Sequence, residues 1–361
     1  MESSEQPSRS PELPSRRTVL GGLATGVAAA AAPALLVPGR ATAQAAAAGA
    51  PILRRMPRSD DLLPAVGMGT YLTFDVLPGR KRDHLREVMR RFHEAGGRVV
   101  DTSPLYGMSE VSVGDFATAM EVTDSLFITN KVWTTGEYLG DESHARRSLE
   151  QSMQRLWRER IDVMQVHSLV NVDILVPLLN AWKGEGRIRY VGVTHHELPY
   201  FAALANWVER GDIDVVQVHY SIHTRQAEER ILRAAADRGI AVLVNMPFEK
   251  ARLFKIVEGR PLPDFAREFR AENWAQFFLK WVIAHPAVTC AIPATTNPDH
   301  MSENMGALRG PLPDAEMRAR MVRHMETIPG FAELAQMPSY PGKQFQGAVR
   351  PPRRPAQPTR T

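Results

Sequence analysis

A single (β/α)8 barrel of the TIM type is the fold this 361-residue sequence predicts, on three observations. Short apolar, β-branched runs alternate with helix-period segments eight times over about 250 residues, the repeat such a barrel needs. The apolar runs are of strand length and separated by amphipathic helices, as parallel strands covered by helices require. No G-x-G-x-x-G occurs in the body. A doubly wound sheet, the competing arrangement, would normally carry that phosphate turn after its first strand.

The elements follow in order. "LPAVGMGTY" reads as the first strand, and "GRVVDTS" as the second with "SEVSVGDFATAM" as its helix. "LFITNKVW" precedes "ESHARRSLEQSMQRLW", whose apolar residues recur every three or four positions. "IDVMQVHS" with "ILVPLLNAWKGEG" makes the fourth unit, and "IRYVGVTHH" with "LPYFAALANWVERG" the fifth. "IDVVQVHYS" with "QAEERILRAAADRG" is the sixth; "IAVLVNMPF" leads through a longer loop into "NWAQFFLKWVIAHP". "VTCAIPATT" and "NPDHMSENMGAL" complete the set, which assigns the barrel to residues 50–330.

Apolar content of 44% and charge of 23% suit a soluble globular protein with a sizeable core. The net charge of +4 is placed at the ends, leaving the body between them slightly acidic, which argues against a nucleic-acid-binding face. One cysteine, Cys290, excludes an intrachain disulfide; inside "VTCAIP" it reads as a buried small residue.

The amino terminus looks like a twin-arginine (Tat) signal peptide over residues 1–45. Arg16 and Arg17 precede an Ala/Gly/Leu run, and small residues set a cleavage site after Ala43 or Ala45. The run is too short and too Ala-rich for a spanning helix. The expectation is therefore a protein exported to the periplasm or outside the cell, with the Tat machinery as partner of the precursor and no stable membrane span in the mature chain. A start at Met56 would instead give a cytoplasmic product. Residues 338–361 are Pro/Arg-rich and read as a disordered tail.

In a barrel, the carboxyl ends of the strands share one face, where chemistry is done. Asp101 closes the second strand with Tyr106 in the loop beyond; Lys131 ends the third and His167 the fourth. A phenol has a reference pKa of about 10. A neighbouring ammonium would lower it, and Asp101 is the counter-ion for that ammonium. With a histidine to orient an oxygen, the set suits protonation of a carbonyl while hydride reaches its carbon. Alone, each residue reads more simply as a cap, a solvated lysine or a packing histidine; together on consecutive units they read as a site.

The ordered motifs "GMGTY", "DTSPLYG", "ITNKV", "IDVMQVH", "VGVTHH", "VVQVHY" and "AIPATTNPDHMSEN" resemble those of the aldo-keto reductase superfamily over residues 64 to about 305. The resemblance implies a barrel binding a nicotinamide cofactor, usually NADP(H), and a tetrad of Asp101, Tyr106, Lys131 and His167 with Tyr106 as general acid. It implies a small-molecule carbonyl substrate, an aldehyde or ketone reduced to an alcohol. A non-catalytic relative that keeps its nucleotide as a sensor or structural element is the other reading.

The resemblance also places cofactor contacts. Gly69, Thr70 and Tyr71 border the nicotinamide, and Thr194, His195 and Gln217 grip its carboxamide. Pro247 and Phe248 lie in the segment where the family carries a stacking aromatic; this chain has Asn245 there, so either Tyr220, Tyr71 or Phe248 stacks instead or the nicotinamide is held more loosely. Thr295, Thr296 and Asn297 fit a phosphate, His300 and Ala294 replace the family's basic pair, and Glu303 and Asn304 fit adenine. Without the guanidinium, NAD(H) is also expected to bind. Tyr71, Leu72, Trp133 and the 247–272 loop wall an apolar substrate pocket. Histidines 195, 196, 219 and 223 lack metal-ligand spacing, so no metal is expected.

Overall fold

The computed structural model describes residues 49–136 and 141–351; the twin-arginine segment and residues 137–140 and 352–361 lie outside the described residues. Strands β1 (Leu53–Arg55) and β2 (Leu62–Pro64) form an antiparallel hairpin. Eight parallel strands follow: β3 (Met68–Gly69), β4 (Val99–Asp101), β5 (Phe127–Val132), β6 (Ile161–His167), β7 (Ile188–His195), β8 (Val215–His219), β9 (Ala241–Asn245) and β10 (Cys290–Ala291). They pair in chain order, and a parallel bridge between Val66 and Ala291 brings β10 back to the start of β3. Gly67 N donates to Ala291 O at 2.8 Å and Gly69 N to Pro293 O at 2.9 Å across the same seam. Gly67 is required there, since a Cβ would lie 2.7 Å from Val99 O.

The first strand is thus shorter than "LPAVGMGTY" suggests. Leu62–Pro64 belongs to the hairpin, and only Met68–Gly69 joins the barrel. Met56 and Leu63 cluster with Val99, Phe127, Val163, Val215 and Ala241, residues at or near the starts of their strands, so the hairpin stoppers the amino-terminal end. A start at Met56 would delete β1.

The outer layer is helical: α1 (Asp83–Glu94), α2 (Ser109–Ala119), α3 (Ser143–Leu156), α4 (Val172–Gly184), α5 (Phe201–Arg210), α6 (Ile231–Arg238), a short α7 (Arg252–Ile256), α8 (Trp274–Ile283), α9 (Pro298–Gly306) and α10 (Ala315–Glu326). Their apolar stripes face the sheet. On α1 the buried set is Leu85, Val88, Met89 and Phe92, the i, i+3, i+4, i+7 pattern; each such side chain contributes roughly 1.5–3 kcal/mol by leaving water. Short polar caps start later helices: Asn273 accepts from Gln276 N, and Asp314 from Met317 N.

Residues 338–350 run across the barrel face, where the sequence suggested a disordered tail. Tyr340 O accepts from Lys343 N at 3.0 Å, with Pro341 and a left-handed Gly342 (φ 69) between them, the pattern of a type II turn. Tyr340 N donates to Lys250 O at 2.8 Å, just beyond β9, and Val349 N donates to Asp75 Oδ2 at 2.7 Å, just beyond β3. The Tyr340 and Phe345 rings pack edge to face at 5.3 Å. A Pro-Gly turn and an aromatic pair give this segment the local structure that its proline and arginine content obscures.

Candidate active site

The carboxyl ends of β4, β5 and β6 bring Asp101, Lys131 and His167 to one rim. Lys131 is buried, and its Nζ donates to Asp101 Oδ1, Asp101 Oδ2 and Thr102 O, each at 2.8 Å. Asp101 Oδ1 also accepts from Thr129 Oγ1 at 2.7 Å and Gln217 Nε2 at 2.9 Å. Gln217 Oε1 in turn accepts from Thr194 Oγ1 at 3.0 Å. A buried ion pair survives only where its remaining lone pairs and protons are satisfied, and this one sits in a hydrogen-bond chain running from β7 to β5.

Tyr106 stands over that chain on the turn after β4, its N bonded to Ser103 O at 2.9 Å. Its ring centroid lies 4.9 Å from Lys131 Nζ, 5.0 Å from the Tyr71 ring and 5.9 Å from the His167 ring, which meets it edge-on at 81°. The four residues of the expected tetrad are therefore together. Their electrostatics differ from the sequence expectation. Burial first, then the charge of Asp101, push the Tyr106 phenol well above its ordinary value. The physical reason is donor accounting. An ammonium has three N–H groups, and here three oxygens take them, so none points at the phenol. Burial also lowers Lys131, against the pull of Asp101. Burial, then the Lys131 charge, depress His167 to about 3, so its imidazole is neutral.

The expected cofactor contacts divide. Thr70 Oγ1 donates to Asp101 O at 2.9 Å, Gly69 lies at the β3–β10 seam, and Tyr71 stands beside Tyr106. Thr194 and Gln217 join the interior chain, but His195 does not. Strand alternation turns its side chain away from Thr194, its ring stacks on Tyr200 at 4.0 Å, and its Nδ1 accepts from Glu197 N. Of the three stacking candidates, two are committed elsewhere. Tyr220 is buried against Trp281 with its hydroxyl on Glu228, and Phe248 packs into Phe254 and Phe278. Tyr71 is the ring left at the mouth, and Pro247 is buried beside Phe248. Leu72 is also buried, with a left-handed backbone (φ 64), whereas Trp133 is 46% exposed.

At α9, Asn297 is occupied as the helix cap, accepting from Asp299 N, and Thr295 Oγ1 accepts from Asn297 N. Thr296, His300 and Glu303 are exposed, and Asn304 is buried. Arg91 reaches this helix from α1, but its charge is matched by Glu87 and Asp299.

Several residues at the rim escaped the sequence reading. Ser103 Oγ lies 3.3 Å from His167 Nδ1. Met246, Glu249, Lys250 and Ala251 all have left-handed backbone angles, a strained run held by a buried carboxylate. Glu249 Oε1 contacts His219 Nε2 at 2.7 Å and accepts from Ser221 Oγ at 2.5 Å. Burial alone would raise Glu249, but these bonds outweigh it and hold the carboxyl at about 2. Beside it, Lys250 is depressed by burial and then by Arg252, and His196 is depressed to about 4 by burial and then by Lys250. A lysine just past a strand end was the available signal for this corner. Asn245 Oδ1 is buried without a hydrogen-bond partner among the described residues. So are both amide atoms of Gln165, which faces Gly192 inside the barrel. Among the described residues no group of three or more His, Cys, Asp or Glu is placed to hold a metal, and no helix is long and apolar enough to cross a membrane. Cys290 is buried, with its thiol pushed up by burial, as an inert packing residue would be.

A profile of the aldo/keto reductase family matches residues 65–321. The NADH-specific methylglyoxal reductase of Escherichia coli (strain K12) is 27% identical over 321 residues, covering 74% of this chain and 96% of the relative. The NADP-dependent D-sorbitol-6-phosphate dehydrogenase of Malus domestica is 21% identical over 294 residues, covering 71% and 89%. An aldo/keto reductase from Klebsiella pneumoniae, solved in complex with NADP and acetate, superposes with a TM-score of 0.60 at 23% identity, covering 75% of this chain and 94% of that one.

Proposed function

Because the chain belongs to the aldo/keto reductase family, we propose that it reduces an aldehyde or ketone to an alcohol at the expense of NADPH or NADH. The observation that carries this reading is the buried Asp101–Lys131 pair directly beneath Tyr106, with a neutral His167 at its edge.

The nicotinamide, when bound, supplies the hydride. Tyr106 Oη holds the proton: with its pKa pushed up it stays a phenol throughout the working pH range. A developing alkoxide is far more basic than a phenolate, so the proton moves to substrate oxygen as the carbon is reduced. Lys131, 4.9 Å from the ring with Asp101 as its counter-ion, is the positive charge beside the phenolate left behind. His167 positions the carbonyl oxygen. The polar groups fit a nicotinamide carboxamide: Gln217 Nε2 keeps one N–H beyond the one it gives Asp101, Thr194 Oγ1 can accept, Asn245 Oδ1 is a buried acceptor without a partner among the described residues, and Tyr71 supplies a ring face. Lys250 supplies positive charge for a pyrophosphate, between His196 and the loop to α7.

Weak discrimination between the two dinucleotides is supported by the exposed His300, the capping role of Asn297 and the pairing of Arg91 with acids. The NADH-specific Escherichia coli relative supports NADH as a cofactor beside NADPH. Fluorescence titration should give affinities for NADH and NADPH within about tenfold, the worth of one lost charge-assisted contact. Thousandfold preference for either would contradict this. Oxidation of bound NADPH by an aromatic aldehyde, followed at 340 nm with purified protein, tests the reaction itself. A cofactor that binds and is never oxidised by any aldehyde or ketone tried would favour the sensor reading. We also propose that Arg16 and Arg17 direct export; replacing both with Lys should trap the full-length precursor inside the cell.

A further inference from the structure

We infer that Ser103 is a positioning residue that fixes the tautomer of His167, leaving the Nε2–H of its ring to face the substrate oxygen. Ser103 is fully buried on the turn between Asp101 and Tyr106. Its hydroxyl oxygen accepts from Leu105 N at 3.2 Å. The hydroxyl has one proton to donate, and among the described residues the acceptor within reach is His167 Nδ1 at 3.3 Å. Were the imidazole the donor instead, Ser103 Oγ would accept twice and its own proton would be left buried without an acceptor, a cost of about 1–3 kcal/mol. Donation therefore runs from serine to histidine. Nδ1 is then the acceptor nitrogen, and the neutral ring carries its proton on Nε2.

The rest of the geometry gives that choice a consequence. The His167 ring makes no other hydrogen bond among the described residues and meets Tyr106 edge-on. Because the ring is neutral, charge cannot hold it, and only the tautomer decides whether Nε2 attracts or repels a carbonyl oxygen. With Nε2–H in place, two donors converge on that oxygen, the imidazole to orient it and the Tyr106 phenol to protonate it. With the other tautomer, a lone pair would oppose it. Only the serine's effect on rate rests on the reductase reading; its effect on the tautomer does not.

Long-range 15N–1H NMR of the imidazoles in the labelled protein reads the tautomer without substrate or cofactor. The wild type should show His167 protonated on Nε2 alone. Ser103→Ala should give a mixture of tautomers, and Ser103→Thr, which keeps the hydroxyl, should restore the wild-type pattern. In turnover, Ser103→Ala should lower kcat about tenfold, the worth of one hydrogen bond, with the KM for the dinucleotide unchanged, and Ser103→Thr should recover most of the loss. A wild-type ring protonated on Nδ1, or an unchanged tautomer in Ser103→Ala, overturns the inference. If no variant turns over a carbonyl, the reductase reading fails while the NMR still decides the role of Ser103.

Discussion

The rim of this barrel has two unlike halves. At the ends of β4 to β6, strand residues form a closed hydrogen-bonded set in which Lys131 has spent all three protons and Asp101 both oxygens. At the ends of β7 to β9, Met246, Glu249, Lys250 and Ala251 have left-handed backbones, Asn245 Oδ1 has no partner among the described residues, and burial and then Arg252 depress Lys250 against the pull of Glu197 and Glu249. The first half is finished without a ligand, as preorganised chemistry requires. In the second, a buried carboxylate, Glu249, holds the strained loop. On the proposed function, rigidity is concentrated where the proton would move and unmet polarity where the dinucleotide would bind.

Substitutions can break this contrast, the largest effect first. Lys131→Met leaves the Asp101 carboxylate buried without its cation and should cost about 3–5 kcal/mol in urea unfolding; a cost under about 1 kcal/mol would mean the ion pair is not the keystone of its half. Glu249→Gln should cost about 2 kcal/mol and change the acid response. The Glu249 carboxyl is held at about 2, below its ordinary 4.5, so the stability it adds is present above about 4.5 and lost as pH falls toward 2. The variant should lose that slope; an unaltered acid limb would show that Glu249 does not hold the loop. Removing residues 338–361 uncovers Tyr106, whose phenol is raised by burial and in part by Tyr340. Its titration, read at 295 nm against a Tyr106→Phe background, should move down toward about 10. Smallest is the pH profile: kcat/KM for reduction should stay level from about pH 5 to 9. His167, at about 3, is already neutral throughout that range. Activity should fall only above the ordinary phenol range, since a raised acid loses its proton later. An inflection near pH 6.5 would contradict the neutral imidazole.

Much of the first half was legible because barrel topology converts sequence position into place: a charged or aromatic residue ending a parallel strand must lie on the carboxyl face. Asp101, Lys131 and His167 needed nothing more. What the sequence could not show was distance. Burial and the charge of Asp101 raise the phenol where a lowering was expected, and every Lys131 proton goes to Asp101 or Thr102, which only the folded geometry shows. His195 stacks on Tyr200 instead of joining Thr194 and Gln217, and alternation along β7 already separates it from Thr194. Tyr220 and Phe248 were offered as stacking rings because burial against α8 and α10 is set by helices distant in sequence. In the carboxyl-terminal segment, the Tyr-Pro-Gly-Lys turn was a readable signal, outweighed by composition.

The central claim is that Tyr106 gives the proton. Enzyme preloaded with NADPH and mixed with an aromatic aldehyde should oxidise its cofactor in a single turnover. Tyr106→Phe, binding NADPH with unchanged affinity, should do so about 10²- to 10⁴-fold more slowly, the range for removing a positioned acid. Equal rates in the two proteins would contradict the account.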